Sequence, residues 1–375
     1  MPREGVLLSS FVVLALLFAF TGFVTRMFHS KQSALGEEWF NRGSADLEAG
    51  KAASALEDFR TALIYSPQND LFQLRLAQAS LAAGHAGEAR SYLLNLWARH
   101  PGDGQVNLAL GRLAAHEGSV EEAVRYYHNA IYGEWPEAPT ERPRMVRIEL
   151  CEYLLAQKAI RAAQAELAAL AASIPPADAE LHSQVGNYFL EAQDARAAFE
   201  EFRRALAVNR HLSAALVGAG TAAVQLGDYT QAEHYLDRAV REDPHDTKAA
   251  HLLETAKMVV GLDPFAVWLP EAERRRRTVR DFEQALTRLD ACAHLHGGSV
   301  DGSPSMTELQ KIYIEAQQKR HEINDRNMNR HPELIQPTMD LVFTIEQLAA
   351  QDCGQPTGAD LALYLLAAKY QNGKK

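Results

Sequence analysis

Cysteine is scarce, three residues in 375, and none stands in a Cys-x-x-Cys spacing. That leaves no disulfide framework and no zinc ribbon. Positive charge is also short: 38 lysines and arginines face 48 aspartates and glutamates, a formal net charge of −10. A nucleic-acid binder needs a net basic face, so no nucleic acid is expected as a partner. Long β-branched runs are missing, which removes the usual signal for strands. There is no Gly-x-Ser-x-Gly and no His-Glu-x-x-His, the signatures of common hydrolases. Gly43 to Gly50-Lys51 has the wrong spacing for a phosphate loop and lacks its Ser or Thr. Gly218-Ala-Gly220-Thr-Ala-Ala223 fits the dinucleotide fingerprint formally. That motif needs a strand ahead of it and a helix opening on it, whereas here it runs inside a helical pattern. No catalytic residue, cofactor, metal or small-molecule substrate is expected.

What is present is apolar and helical. Ala and Leu dominate, with Gly and Pro as punctuation, a composition that reads as all-α. Residues 5–24 carry no charge and are bracketed by Arg3 and Arg26. As a helix they span about 30 Å, the thickness of a bilayer core. They are either a retained single-span anchor or a cleaved signal peptide, which needs small residues at its cleavage site. The nearest match is Ala19-Phe20-Thr21, and the apolar run continues past it to Val24. The expectation is a transmembrane anchor at 5–24 after a tail at 1–4, followed by a short polar tether at 25–35. Ala15 and Ala19 make a small-x3-small step that suits helix pairing or a plain lipid-facing surface. Arg3 on one side nearly balances Arg26 and Lys31 on the other. A very short tail before a large domain favours a bulk outside the cytoplasm.

Three columns then recur in step. Small residues stand at Gly43, Ala77, Gly111, Cys151, Gly186 and Gly220. Alanine stands at Ala55, Ala89, Ala123, Ala163, Ala198 and Ala232, and a bulky residue at Phe59, Leu93, Tyr127, Leu167, Phe202 and Leu236. All three columns advance by 34, 34, 40, 35 and 34 residues. A helical bundle needs no fixed period, whereas a stacked array does. With Trp39 ahead of Gly43 and Pro67 after Ala62, the pattern resembles the tetratricopeptide (TPR) repeat. The resemblance implies an all-α TPR solenoid of about six helical hairpins over residues 36–246. The repeats run 36–69, 70–103, 104–137, 144–178, 179–212 and 213–246, and residues 247–262 form a capping helix. The insertion at 134–143 carries three prolines and reads as a stiff, helix-free loop whose Trp135 plugs a gap or stands out as a contact.

The family pattern is not kept everywhere. After the first repeat the Trp slot holds Gln73, Asn107, Arg147, His182 and Leu216. In the family the first helix of each hairpin lines the concave side, so the resemblance implies a peptide-binding groove. One row of it is Phe40, Leu74, Leu108 and Ile148, continued by Ser183 and Val217. The other row is Ser44, Gln78, Arg112, Glu152, Asn187 and Thr221. No lysine stands there to grip a carboxylate, so the groove suits an apolar or amphipathic segment of a protein partner. The alternatives are that tight packing buries these residues or that the chain's own C-terminal module fills the groove.

Residues 263–375 resemble no family and read as a C-terminal helical module with helices at 271–295, 306–328, 337–351 and 359–371. Cys292-Ala-His294-Leu-His296 is the one metal-like cluster, and two ligands on a face make a poor zinc site. Cys292 and Cys353 pair only in an oxidising compartment. The run Arg274–Arg277 with Arg280 sits where a helix starts, which disfavours cations. It is either a solvated face paired with Glu271 and Glu273, or a contact for anionic lipid or an acidic partner. The sequence thus reads as a membrane-anchored TPR scaffold that binds proteins and has no catalysis of its own. The rival is an enzyme or metal protein with its site in the C-terminal module; a structural homo-oligomer through the first helix is a third reading.

Overall fold

The computed structural model describes residues 2–295 and 308–372. Among these there are eighteen α-helices, one short 3-10 turn and no strand. The chain divides into two compact halves, residues 1–166 and 167–375. The first holds α1 (Pro2–Glu48), α2 (Ala52–Tyr65), α3 (Asp70–Ala82), α4 (Ala86–Arg99), α5 (Gly104–His116), α6 (Val120–Ile131) and α7 (Glu141–Ala156). Helix α8 (Ile160–Ala171) runs from the first half into the second. The second half continues with α9 (Ala179–Glu191), α10 (Ala195–Val208), α11 (Ser213–Gln225), α12 (Tyr229–Glu242) and α13 (Thr247–Leu262).

The recurring columns are the packing faces of these hairpins. All six column alanines and Phe59, Leu167, Phe202 and Leu236 are fully buried. The small slots touch the bulky ones: a Cβ added to Gly43, Gly186 or Gly220 meets Phe59, Phe202 or Leu236 at 3.0 Å or less. A side chain there would force the two helices of a hairpin apart, so glycine sets their distance. The turn between the helices recurs as well. Positive φ falls at Gly50, Gly84, Gly118, Lys158, Gln193 and Gly227, the same steps as the other columns. Each ends the first helix in the left-handed conformation that glycine adopts most readily.

The polar residues in the Trp slot have a backbone job. Gln73 Nε2 donates to the carbonyl of Pro67 at 2.8 Å, and Asn107 Nδ2 repeats the bond 34 residues on, to Pro101 at 2.8 Å. His182 instead bonds the buried Glu201 at 2.7 Å, and Arg204 donates to the same carboxylate at 2.6 Å. A bulky indole is thus replaced by groups that satisfy loop carbonyls or each other.

Three boundaries differ from expectation. Residues 25–35 are not a separate tether but part of α1, which is one 47-residue helix. No glycine or proline lies between Gly22 and Gly36, and polarity alone does not break a helix. The insertion is helix-free only to Thr140, because α7 opens at Glu141 with Pro143 in its first turn. The helix expected at 306–328 is two: α15 (Glu308–Lys319) and α16 (Asp325–Arg330), where the Asn324 side chain accepts from the Asn327 N–H and caps the second. Residues 306 and 307 lie outside the described residues.

The insertion is fastened to the repeat before it. Glu134 N donates to Gly102 O and Gly104 N to Glu134 O, while Trp135 Nε1 donates to Ala130 O at 2.8 Å. The buried indole lies where a Cβ on Gly104 would collide with it. Trp135 is therefore a plug.

The module consists of α14 (Glu271–Leu295), α15, α16, α17 (Ile335–Asp352) and α18 (Gly358–Asn372). Its core is continuous with α12 and α13: Tyr229 and Val259 share one buried cluster with Phe282, Leu289, Val342 and Leu363. Within the second half, then, the cap and the module fold on a common core.

Lys158 and Gln193 hold a left-handed backbone that costs about 1–2 kcal/mol for a side-chain residue. Lys158→Gly and Gln193→Gly are expected to raise stability by up to about 1 kcal/mol each, after the extra unfolded-state entropy of glycine. Gly227→Ala should lower it by a similar amount. Urea midpoints at unchanged slope read all three.

Candidate functional site

The first helices of the hairpins present exposed or half-exposed side chains in each half. In the first half, α3 shows Leu71, Arg75 and Gln78, α5 shows Gln105 and Arg112, and α7 shows Met145 and Glu152. In the second half, α9 shows Gln184 and Asn187, and α11 shows a half-buried Val217 and Thr221.

The two expected rows fare differently. Phe40 stacks on Phe72 with ring centroids 4.6 Å apart and also packs on Phe59. Leu74 is buried, and Leu108 and Ile148 are half-buried, Leu108 against the core around Tyr127. Ser183 is buried and Val217 is half-buried. Much of the apolar row thus packs hairpin against hairpin. In the polar row, Arg112, Glu152 and Asn187 are exposed, and Ser44, Gln78 and Thr221 are half-buried. Gln78 accepts from Arg75 at 3.2 Å, and Thr221 Oγ1 donates to Val217 O at 2.8 Å.

Sequence reasoning missed the apolar residues that do face out. Leu71 is 46% and Met145 51% exposed, each three residues before the apolar slot. The repeat register itself was the available signal, since one turn earlier on a helix is the same face. It also missed a polar cluster between the third and fourth repeats. Arg112 makes a two-pronged pair with Glu149, both bonds 2.7 Å, and the Tyr127 hydroxyl donates to the same carboxylate at 2.8 Å. Burial pushes the Glu149 carboxyl up, but the guanidinium and the phenol outweigh it and hold the group below the usual range. The hydrogen bond to Glu149 raises Arg112 in turn. Burial and the adjacent carboxylate raise the Tyr127 hydroxyl.

The module offers little for chemistry among its described residues. Cys292 and Cys353 form a disulfide, with Cα atoms 5.6 Å apart, so no thiolate is left there for a metal. Among the described residues no three His, Cys, Asp or Glu side chains are placed to hold a metal ion together. His296 and the side chain of His294 lie outside them. Asp281 and Glu346 are both pushed up to about 7, chiefly by burial. Both are fully buried in helix packing, and Arg288 donates to Glu346 at 2.6 Å. Burial likewise pushes the Cys151 thiol up to about 12, which leaves it inert.

The arginine run has a structural use. Arg277 donates to the carbonyls of Val260 (2.8 Å) and Asp263 (3.1 Å), and Arg280 to that of Gly261 (2.9 Å). These are the orphan carbonyls at the end of α13, where the helix dipole favours cations. The start of α14 tolerates arginines because the end of α13 lies beside it.

Among the described residues no helix is long and apolar enough to cross a membrane. The span expected at 5–24 has side chains at 5–10, 12, 13 and 15 outside that set, so the described residues do not establish a transmembrane helix.

Glu149 is expected to titrate below the ordinary carboxylate range, and Arg112→Ala, which keeps the burial and removes the cation, should raise it. Carboxyl NMR against pH reads this, and an unmoved Glu149 would break the account. The sign follows for folding: a depressed carboxyl adds stability above its unfolded pKa, and that stability is lost as pH falls through the folded value.

Residues 46–113 and 189–256 match the family model described as tetratricopeptide repeat. No curated protein sequence matches the chain. Among solved structures, the chain is similar to the C-terminal part of a TPR repeat-containing protein from Cytophaga hutchinsonii, at 12% identity over 64% of this chain and 92% of that one, TM-score 0.45. It is also similar to PilW, a type IV pilus biogenesis factor, at 17% identity over 58% and 98%, TM-score 0.41. For pilF of Pseudomonas aeruginosa the values are 15% over 59% and 97%, TM-score 0.40. The hairpin columns and the two matched blocks together give the conclusion that this chain carries tetratricopeptide repeats in an all-α, solenoid-type fold.

Proposed function

We propose that the chain is a membrane-held scaffold that binds segments of other proteins on its first-helix faces and does no chemistry of its own. The observation that carries this reading is α1. Its last residues are the first helix of the first repeat, and ahead of them the described side chains from Phe11 to Leu35 are all exposed except half-buried Gln32. Phe11, Leu14, Phe18, Phe20 and Phe23 are all exposed. Apolar surface of that extent in water is costly, and a bilayer removes the cost. Both threonines of α1 are satisfied within the helix: Thr21 Oγ1 shares its hydrogen between the Leu17 and Phe18 carbonyls, and Thr25 Oγ1 donates to the Thr21 carbonyl. That suits a surrounding without water. The Cys292–Cys353 disulfide supports an oxidising compartment for the bulk of the chain.

For recognition, α3 carries exposed Leu71 with half-buried Gln78, α5 carries exposed Arg112, and α7 carries exposed Met145 and Glu152. Scattered apolar anchors in a polar field favour an amphipathic segment.

Vesicle flotation should carry the full chain to the lipid layer, and the chain lacking residues 1–30 should stay below. Fluorescent amphipathic helical peptides, read by anisotropy against the full chain, should bind about tenfold more weakly to a Leu71→Asp, Met145→Asp variant. Equal binding by both proteins would move recognition off these faces.

A further inference from the structure

The linker between α13 and α14 is built to display two apolar side chains. Its entry is fixed: buried Asp263 accepts from Lys369 Nζ (2.9 Å), the Tyr370 hydroxyl (2.8 Å) and the Phe265 N–H (2.9 Å). The Phe265 ring packs edge-on against Tyr370 at 5.0 Å. Its exit is fixed too: Leu269 is buried, its N–H donates to Ala266 O at 3.1 Å, and Pro270 leads into α14. Between these fastenings Val267 is 98% and Trp268 66% exposed. Val267 is the most exposed large apolar side chain among the described residues. A loop pinned at both ends holds its two apolar side chains outward by construction.

The surroundings are basic. Residues 263–281 hold five arginines against two glutamates and two buried aspartates, Asp263 and Asp281, within a chain of net charge −10. The Arg277 guanidinium lies 5.8 Å from the Trp268 ring centroid. Arg275 is paired with Asp325 at 3.2 Å, whereas the Arg276 side chain is 73% exposed and reaches Glu273 only at 3.9 Å.

Two apolar side chains on a protruding turn are too few for a protein interface, which needs about 800 Å² per partner. They suit the interfacial layer of a bilayer, where tryptophan concentrates and arginines add attraction to anionic headgroups. A weak contact suffices there when the chain is already held at the surface. We propose that the Val267–Trp268 tip is a second membrane contact, inserting into the headgroup layer of an anionic leaflet. This rests on the reading of α1 as an anchor.

The test uses the full chain reconstituted in vesicles of phosphatidylcholine with phosphatidylglycerol, their acyl chains brominated near the headgroup. Tryptophan emission of the wild type minus that of Trp268→Phe isolates Trp268 from Trp39, Trp97 and Trp135. The proposal expects that difference spectrum to be blue-shifted and quenched. Quenching should weaken in phosphatidylcholine alone and on Val267→Ser or Arg276→Gln, all exposed changes that leave the fold intact. In a chain that floats with the vesicles, an unquenched, water-like Trp268 overturns the proposal. A blue-shifted but unquenched Trp268 also overturns it, since protein rather than lipid then covers the tip. If the chain does not float, the anchor reading falls, and the tip is judged by adding the same vesicles to saturation. Quenching then upholds the tip alone, and its absence rejects it.

Discussion

The contact between a side chain that is nearly absent and one that is large governs this molecule. Where Gly186 faces Phe202 and Gly220 faces Leu236, the two helices of a hairpin approach until ring or methyl meets backbone. A hairpin closed in this way still has an apolar back, which only the next hairpin can cover. The fully buried alanine column is the result, because nothing larger fits at that distance. The periodic spacing, the left-handed turn residues and the capping helix all follow from it.

That contact was legible in the sequence because glycine, alanine and phenylalanine leave a regular trace when they recur in register. Other features left none. The Gln73 bond to Pro67 and its copy at Asn107 and Pro101 look, in the sequence, like loss of a tryptophan. The arginine run reads as misplaced until the carbonyl end of α13 is seen beside it. Register alone puts Phe40 in the binding row, but an aromatic one turn from a packing glycine is readily drawn into the seam, and it lies on Phe72. Exposure depends on neighbours distant in the chain, and a column of slots cannot report it.

The second half shows how a repeat array can be finished by something that is not a repeat. Helix α13 presents the face that a further hairpin would cover, and the module supplies Phe282, Val342 and Leu363 to the same core. Asp263 ties the seam, since Lys369 and Tyr370 from the far end of the chain converge on its carboxylate. These partners lie more than 100 residues away in sequence, so this half is closed by a non-local contact that carries a large loop-closure entropy.

The unbroken α1 has a geometric consequence. A flexible leash would let the first hairpin sample any heading, whereas a continuous helix indexes it to whatever grips the other end. Each residue of helix adds about 100° of turn and 1.5 Å of rise. One residue inserted or deleted between Thr25 and Leu35 would swing the first hairpin by more than a quarter turn about the axis while barely changing its height. The length of that stretch therefore sets a compass bearing, and single-residue changes in length there would matter more than most changes of side chain.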